Sequence, residues 1–208
     1  MAFLEPTIRP PVQRRSRASL ERVLHAGFEV LRDRGVPGFT VNEVSRRSGV
    51  SVGAIYGRVP SRDALIVAIY EHAMGEMAAN TDLELAFQEH ANARENVEAV
   101  VVSTAEGMLA HREVLRVFMR EAPAYAAILE RGAERSQAAA EQFTRVLLGQ
   151  RQKFRHPDPE LAVDVAWRML YCTIARRIIH GPVFESARVV DDETLIRELA
   201  RAIAGYLV

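Results

Sequence analysis

Between Thr40 and Leu65 the chain reads TVNEVSRRSGVSVGAIYGRVPSRDAL. The chemically capable groups in this run are hydrogen-bond donors rather than nucleophiles. Tyr56 and Arg58 carry a phenol and a guanidinium, both able to donate to phosphate oxygens. Ahead of them Val52, Gly53 and Ala54 are small. Small residues at the start of a helix let its backbone and its positive end approach phosphates and base edges. This is chemistry for holding a polyanion, not for breaking a bond. Elsewhere no nucleophile–base set, phosphate loop or metal motif is present. The histidines, His25, His72, His90, His111, His156 and His180, form no i, i+4 pair, and no Cys/His cluster exists. Neither a metal nor a cofactor is expected.

The elements that must position these donors can be read around them. Thr40 with Glu43 three residues on is a capping box that opens a helix. Val41 and Val44 pin that helix to a core. Gly49 permits a turn at positive φ, where a side chain is strained, and Val50 seals the corner. Ser51 caps a second short helix with Ile55 pointing inward. Ser61 caps a third, from Arg62 to about Asn80, with Leu65, Ile66, Ile69, Ala73 and Met77 facing inward. Helix, glycine turn, helix is the layout of a helix-turn-helix that lays one helix in a DNA major groove. Upstream, Leu20, Val23, Leu24, Phe28 and Leu31 make one apolar stripe, capped by Ser16 or Ser19 and stopped by Gly35. Pro37-Gly38 is a turn. Residues 1–13 hold Pro6, Pro10 and Pro11 without periodicity and read as a mobile arm. With Arg14 and Arg15 this gives a flexible basic arm over residues 1–15, and Arg9, Arg14, Arg15 and Arg17 could reach a phosphate or a minor groove. A solvated tail is the competing reading of the same residues.

The whole chain sets the frame. Its 208 residues, 49% of them hydrophobic, can bury a real core. No apolar run approaches the roughly 18 residues of a membrane span, and the N-terminus does not read as a secretory signal. One cysteine, Cys172, cannot form an intrachain disulfide, which suits a reducing cytoplasm. Its apolar neighbours point to buried packing. The net charge of zero hides an asymmetry. Residues 1–62 hold 11 Arg against 5 Asp and Glu, a balance of +6, and residues 63–208 carry −6. The basic charge travels with the helix-turn-helix, as phosphate neutralisation requires.

Further helices are expected over Asn92 to Ala110, Arg112 to Arg120, Pro123 to Lys153, Pro157 to His180 and Asp191 to Leu207, with Pro123 and Pro157 in first helical turns. No stretch alternates with period two, so the fold class is all-α. An N-terminal helix-turn-helix domain (residues 16–62) precedes a helical bundle (residues 63–208).

The segment around Gly35, Thr40, Val41, Gly49-Val50-Ser51, Gly53, Tyr56, Arg62 and Leu65 resembles the tetracycline-repressor (TetR) family of bacterial transcriptional regulators. The match covers about residues 16–70. The resemblance implies that Thr40 and Tyr56 contact phosphates and that Val52, Gly53 and Ala54, led by the cap Ser51, face the groove. It implies that Arg62, at the family's usual lysine, holds a phosphate. Two places depart from the pattern. Arg58-Val59 stands where the family has His or Tyr followed by Phe. Gly57 replaces a residue that can read a base, and Arg58 could compensate by a bidentate contact to guanine.

Paired half-sites require a dimer. On the penultimate helix Leu161, Val165, Met169, Cys172 and Ile179 form one apolar face, and Ala162, Ala166, Leu170 and Thr173 another. The last helix repeats this with Leu195, Leu199 and Ala202 beside Ile196, Ile203 and Leu207. A helix apolar on two sides needs cover on two sides, so a homodimer through the last two helices is expected. The many large apolar side chains of the bundle suit a small-molecule effector pocket, with Phe118, Trp167 and Tyr171 as lining residues. The resulting expectation is a cytoplasmic, dimeric, ligand-responsive regulator, most simply a repressor of operator DNA, with no membrane partner. A ligand-independent DNA-binding protein and an all-helical enzyme are the alternatives.

Overall fold

Capped, glycine-stopped apolar periodicities become helices in the computed structural model, which describes residues 14–78 and 92–208. Among these residues the order is α1 (Arg14–Arg34), α2 (Val41–Ser48), α3 (Val52–Tyr56), α4 (Arg62–Ala78), α5 (Ala93–Ala110), α6 (Arg112–Glu121), α7 (Ala126–Leu148), α8 (Pro159–His180) and α9 (Asp192–Leu207). Short 3-10 turns lie at Ala122–Ala124 and Arg151–Lys153. The class is all-α, with no strand among the described residues.

Several boundaries differ from the sequence expectation for identifiable reasons. α1 already includes Arg14 and Arg15, which places Ser16 and Ser19 inside the helix rather than at its cap. The rest of the expected arm lies outside the described residues. Pro123 sits in a 3-10 turn, and α7 starts three residues later. Pro157 is left in the preceding bend, while Pro159 takes the first helical position behind the cap Asp158, whose carboxylate accepts from Leu161 N–H at 3.0 Å. Proline is tolerated there because its missing N–H would be unpaired anyway. α7 stops at Leu148, before Gly149, instead of running to Lys153.

The described residues form two compact units. The first comprises residues 14–78 and Glu121–Ile128, and the second residues 92–120 and 129–208. In the first unit α1 packs on α2 and α4. The approach to α4 is close at Gly27, where an added Cβ would stand 2.3 Å from Ile69 Cδ1. Val30, Leu31, Phe39, Val44, Ile55, Val59, Leu65, Ile66 and Ile128 fill this core.

In the second unit the main pairing is α5 with α9, and α8 packs on both. Val97, Val100, Phe143, Leu147, Ala166, Leu170, Ile174 and Ile203 are buried there. Asn96 donates to Gln150 Oε1 at 3.2 Å inside this core, which spares two buried amides some of their desolvation cost. Arg177 ties the connection from α8 to α9, donating to Asp192 at 2.7 Å and to the Val190 carbonyl at 2.6 Å. No helix among the described residues is long and apolar enough to cross a membrane.

Candidate nucleic-acid interface

Two N-caps and one glycine set the geometry of α2 and α3. Thr40 is extended (φ −132°, ψ 142°), and its hydroxyl accepts from Glu43 N–H at 3.2 Å. Gly49 closes α2 in the left-handed region (φ 68°), its N–H donating to the Ser45 carbonyl at 3.0 Å. The space around it is open, with nothing within 4 Å of an added Cβ, so the demand for glycine comes from the strain of L side chains at this φ. Ser51 then accepts from Ala54 N–H at 3.3 Å and starts α3. Each cap satisfies an orphan amide and stabilises its helix by about 1 kcal/mol. Ser61 repeats the device for α4, accepting from Ala64 N–H at 3.0 Å.

Anchors and exposed groups alternate around α3. Ile55 and Val59 are buried, and Val50 seals the turn behind them. Ser51, Gly53, Ala54 and Gly57 face solvent, Val52 is half-buried, and Tyr56 is 45% exposed. A Cβ on Gly53 would meet nothing within 4 Å, so this turn presents open backbone. The Gly57 N–H donates to the Gly53 carbonyl at 2.9 Å, and α3 ends there after five residues. Val59 occupies the buried place where the family pattern has phenylalanine, and the departure is a smaller core side chain. Arg58 beside it is half-exposed.

Arg62 is held within the unit. Its guanidinium donates to the Phe39 carbonyl at 3.1 Å and to the Val36 carbonyl, pairs with Asp63 at 3.1 Å, and lies 5.7 Å from the Phe39 ring centre. The resemblance implies a phosphate contact for it, and two of its N–H groups are taken by the loop before α2.

A second cluster was not foreseen. Glu43, rather than closing the capping box on Thr40 N–H, takes Arg46 at 2.6 Å, Arg47 at 2.9 Å and Arg34 at 3.3 Å. Arg47 also meets Asp33 at 2.7 Å. Hydrogen bonds from Arg46 and then Arg47 hold the Glu43 carboxyl down at about 2, and the bond from Arg47 likewise lowers Asp33. The i, i+3 and i, i+4 spacings of Glu43, Arg46 and Arg47 carried the signal. The outcome is that both arginines of α2 are paired with carboxylates of the protein itself.

In the second unit Phe118 and Trp167 are buried and Tyr171 is half-buried. The Trp167 ring centre lies 5.5 Å from Phe143 and 5.7 Å from Tyr171. Two open clefts lie elsewhere. One of about 370 Å³ is lined by Leu109, Arg112, Arg116, Ile178 and Val190, and one of about 400 Å³ by Thr173, Arg176, Pro182 and Leu195. Cys172 is exposed beside the latter rather than buried, because it falls on the outer side of α8. That side also shows Leu161 at 52% and Met169 at 37% exposure, while Ala162, Ala166 and Leu170 of the other expected face are buried. Among the described residues no group of three or more His, Cys, Asp or Glu is placed to hold a metal.

A capped helix, a left-handed glycine turn and a short helix with an open leading turn define a helix-turn-helix DNA-binding module. Residues 23–69, the segment that holds this module, match the model of bacterial regulatory proteins of the tetR family. A comparison with curated proteins gives no significant match. Among solved structures, a regulatory protein of the tetR family from Rhodococcus RHA1 is 16% identical, with TM-score 0.68 over 92% of this chain and 97% of that one. The ketosteroid transcriptional regulator KstR2 of Mycobacterium tuberculosis is 17% identical, with TM-score 0.61 over 96% and 99%. The fatty acid degradation regulator FadR from Bacillus halodurans is 15% identical, with TM-score 0.64 over 89% and 98%. At these identities the likeness is one of fold.

Proposed function

We propose that this regulator is a cytoplasmic homodimeric repressor that leaves its operator when a small hydrophobic or amphipathic molecule binds the second unit. The observation that carries DNA binding is the open leading turn of α3, with Gly53 and Ala54 exposed above the anchors Ile55 and Val59. In this reading Val52, Gly53 and Ala54 face the groove, and Thr40, Ser51, Tyr56 and Arg58 contact phosphates or base edges. Arg62 contributes mainly by fixing the loop before Thr40, with its remaining N–H groups turned to a phosphate. The chain acts by binding, not by turnover.

Dimerisation is supported by the exposed apolar stripe Leu161, Met169 and Cys172 on α8, with half-buried Val165. Half-buried Leu195 and Leu199 with exposed Ala202 continue it on α9. Pairing these faces in two copies gives a four-helix interface and two recognition helices for half-sites about one DNA turn apart. The ligand acts only through different affinities for the two dimer states, and one or two decades suffice. We place it at Phe118, Trp167 and Tyr171. The fold relatives named for ketosteroids and for fatty acid degradation favour an apolar class.

Fluorescence anisotropy against DNA from upstream of the protein's own gene, beside scrambled DNA at two salt concentrations, tests the first half. Specific, salt-weakened binding is expected, and equal binding to both DNAs would overturn it. Trp167 is the chain's only tryptophan, so its emission tests the second half. Steroids or long-chain fatty acids that release DNA must also change that emission. The closed packing of Phe118 and Trp167 favours a ligand-independent regulator as the second reading. It predicts an unchanged spectrum with every compound tried.

A further inference from the structure

Resting on the DNA-binding reading above, we infer that Glu121 is a positioning residue for DNA recognition, acting from about 80 residues away in sequence on the loop that sets Thr40 and α2. It lies in Glu121–Ile128, which belongs to the first unit, and Ile128 is buried in that unit's core. One Glu121 carboxylate oxygen accepts from Val36 N–H at 3.1 Å. The other lies 2.9 Å from where a Cβ on Gly35 would stand. Gly35, already in the left-handed region at φ 63°, is thus needed for the close approach as well.

The same loop is held from its carbonyl side. Arg62 donates to the Val36 and Phe39 carbonyls and pairs with Asp63. The bonds run from Glu121 through Val36 and Arg62 to Asp63. Linked bonds of this kind reinforce one another in a partly desolvated setting. Phe39 directly precedes Thr40, the cap of α2. Any freedom in the loop is therefore passed to α2 and, through the Gly49 turn, to α3. The chain enters and leaves Glu121–Ile128 through α6 and α7, whose other residues belong to the second unit.

The test uses the full chain and a DNA fragment enriched by the wild-type protein from a random-sequence pool. Affinity for that fragment and for scrambled DNA is compared among wild type, Glu121→Ala and Glu121→Gln, each well below its melting temperature. Glu121→Ala is expected to lose about tenfold in specific affinity, the worth of one charge-assisted bond. Binding to scrambled DNA should be unchanged. Glu121→Gln keeps an acceptor for Val36 N–H and should recover affinity to within about threefold. Specific binding by Glu121→Ala within about twofold of wild type would overturn the inference. So would equal losses for Ala and Gln that follow the melting temperature alone. If the wild type enriches no DNA, the DNA-binding reading itself fails and takes this inference with it.

Discussion

α3 and α8 do their work in opposite ways. α3 is five residues long and holds its place through Ser51, Ile55 and the turn at Gly49. Its functional surface is what the anchors leave bare, chiefly backbone. α8 is 22 residues long and is apolar on both sides, with Leu170 and Ile174 buried and Leu161 and Met169 exposed. Its outer face is a second hydrophobic surface, the one proposed above to meet another copy. A surface for a polyanion is made by small residues and caps, whereas a surface for another copy is made by surplus apolar area. The two should therefore fail differently when mutated.

The sharpest test of the contrast is on α8. Leu161→Asp combined with Met169→Asp puts charge on the outer face without touching the buried one. Each large apolar side chain covered in a dimer contributes about 1.5–3 kcal/mol, and each buried unpaired carboxylate costs several kcal/mol more. The expected result is a monomer by sedimentation, with its helix content retained and its operator affinity gone. A dimer of undiminished strength would mean that the exposed stripe is not a pairing surface, and the comparison would lose one side.

Gly53→Asp breaks the other side. A Cβ there meets open space, and thermal stability should change by no more than about 0.5 kcal/mol. A carboxylate against phosphates should weaken DNA binding on the order of 100-fold, since like charges brought together cost several kcal/mol. The dimer should be unaffected. Retained affinity would show that the leading turn of α3 does not face the groove. Gly49→Val is the control at the neighbouring glycine, with the reverse pattern. It forces a β-branched residue to φ 68°, which should destabilise the first unit by about 1–2 kcal/mol. DNA affinity should persist at temperatures where that unit stays folded.

These contrasts also explain what the sequence could reveal. Thr40, Gly49, Ser51 and Ser61 act on amides and carbonyls within a few residues, so their roles were legible from spacing alone. The two apolar sets on α8 were separable by periodicity, although which one is buried depends on α5 and α9. Cys172 was misplaced for that reason, since apolar neighbours in sequence do not say which face is covered. Pro123 and Pro157 share the chemistry of Pro159, yet only Pro159 follows a carboxylate that caps the helix. The phosphate contact of Arg62 is implied only by the family's lysine at that place, and its bonds to the Val36 and Phe39 carbonyls left no signal in the sequence, since any residue has a carbonyl. Glu121 was invisible altogether, since its partner amide lies 85 residues away.

The smallest expected effect concerns how α2 is held while α3 reads. Hydrogen bonds from Arg46 and Arg47 lower the Glu43 carboxyl from 4.5 to about 2. A carboxylate whose folded pKa is depressed binds fewer protons folded than unfolded across that interval. Its stabilising contribution is therefore fully present above about 4.5 and is lost as pH falls through about 2. Glu43→Gln removes the titration. The stability difference between wild type and this variant should be constant near neutral pH, shrink steadily through that window and vanish below it. DNA affinity near neutral pH should fall only slightly, because Thr40 and Gly49 still frame α2. A difference that stays flat through the window would show that the three arginines around Glu43 are a solvated cluster with no part in fixing the helix. The caps and the glycine turn would then hold α2 alone.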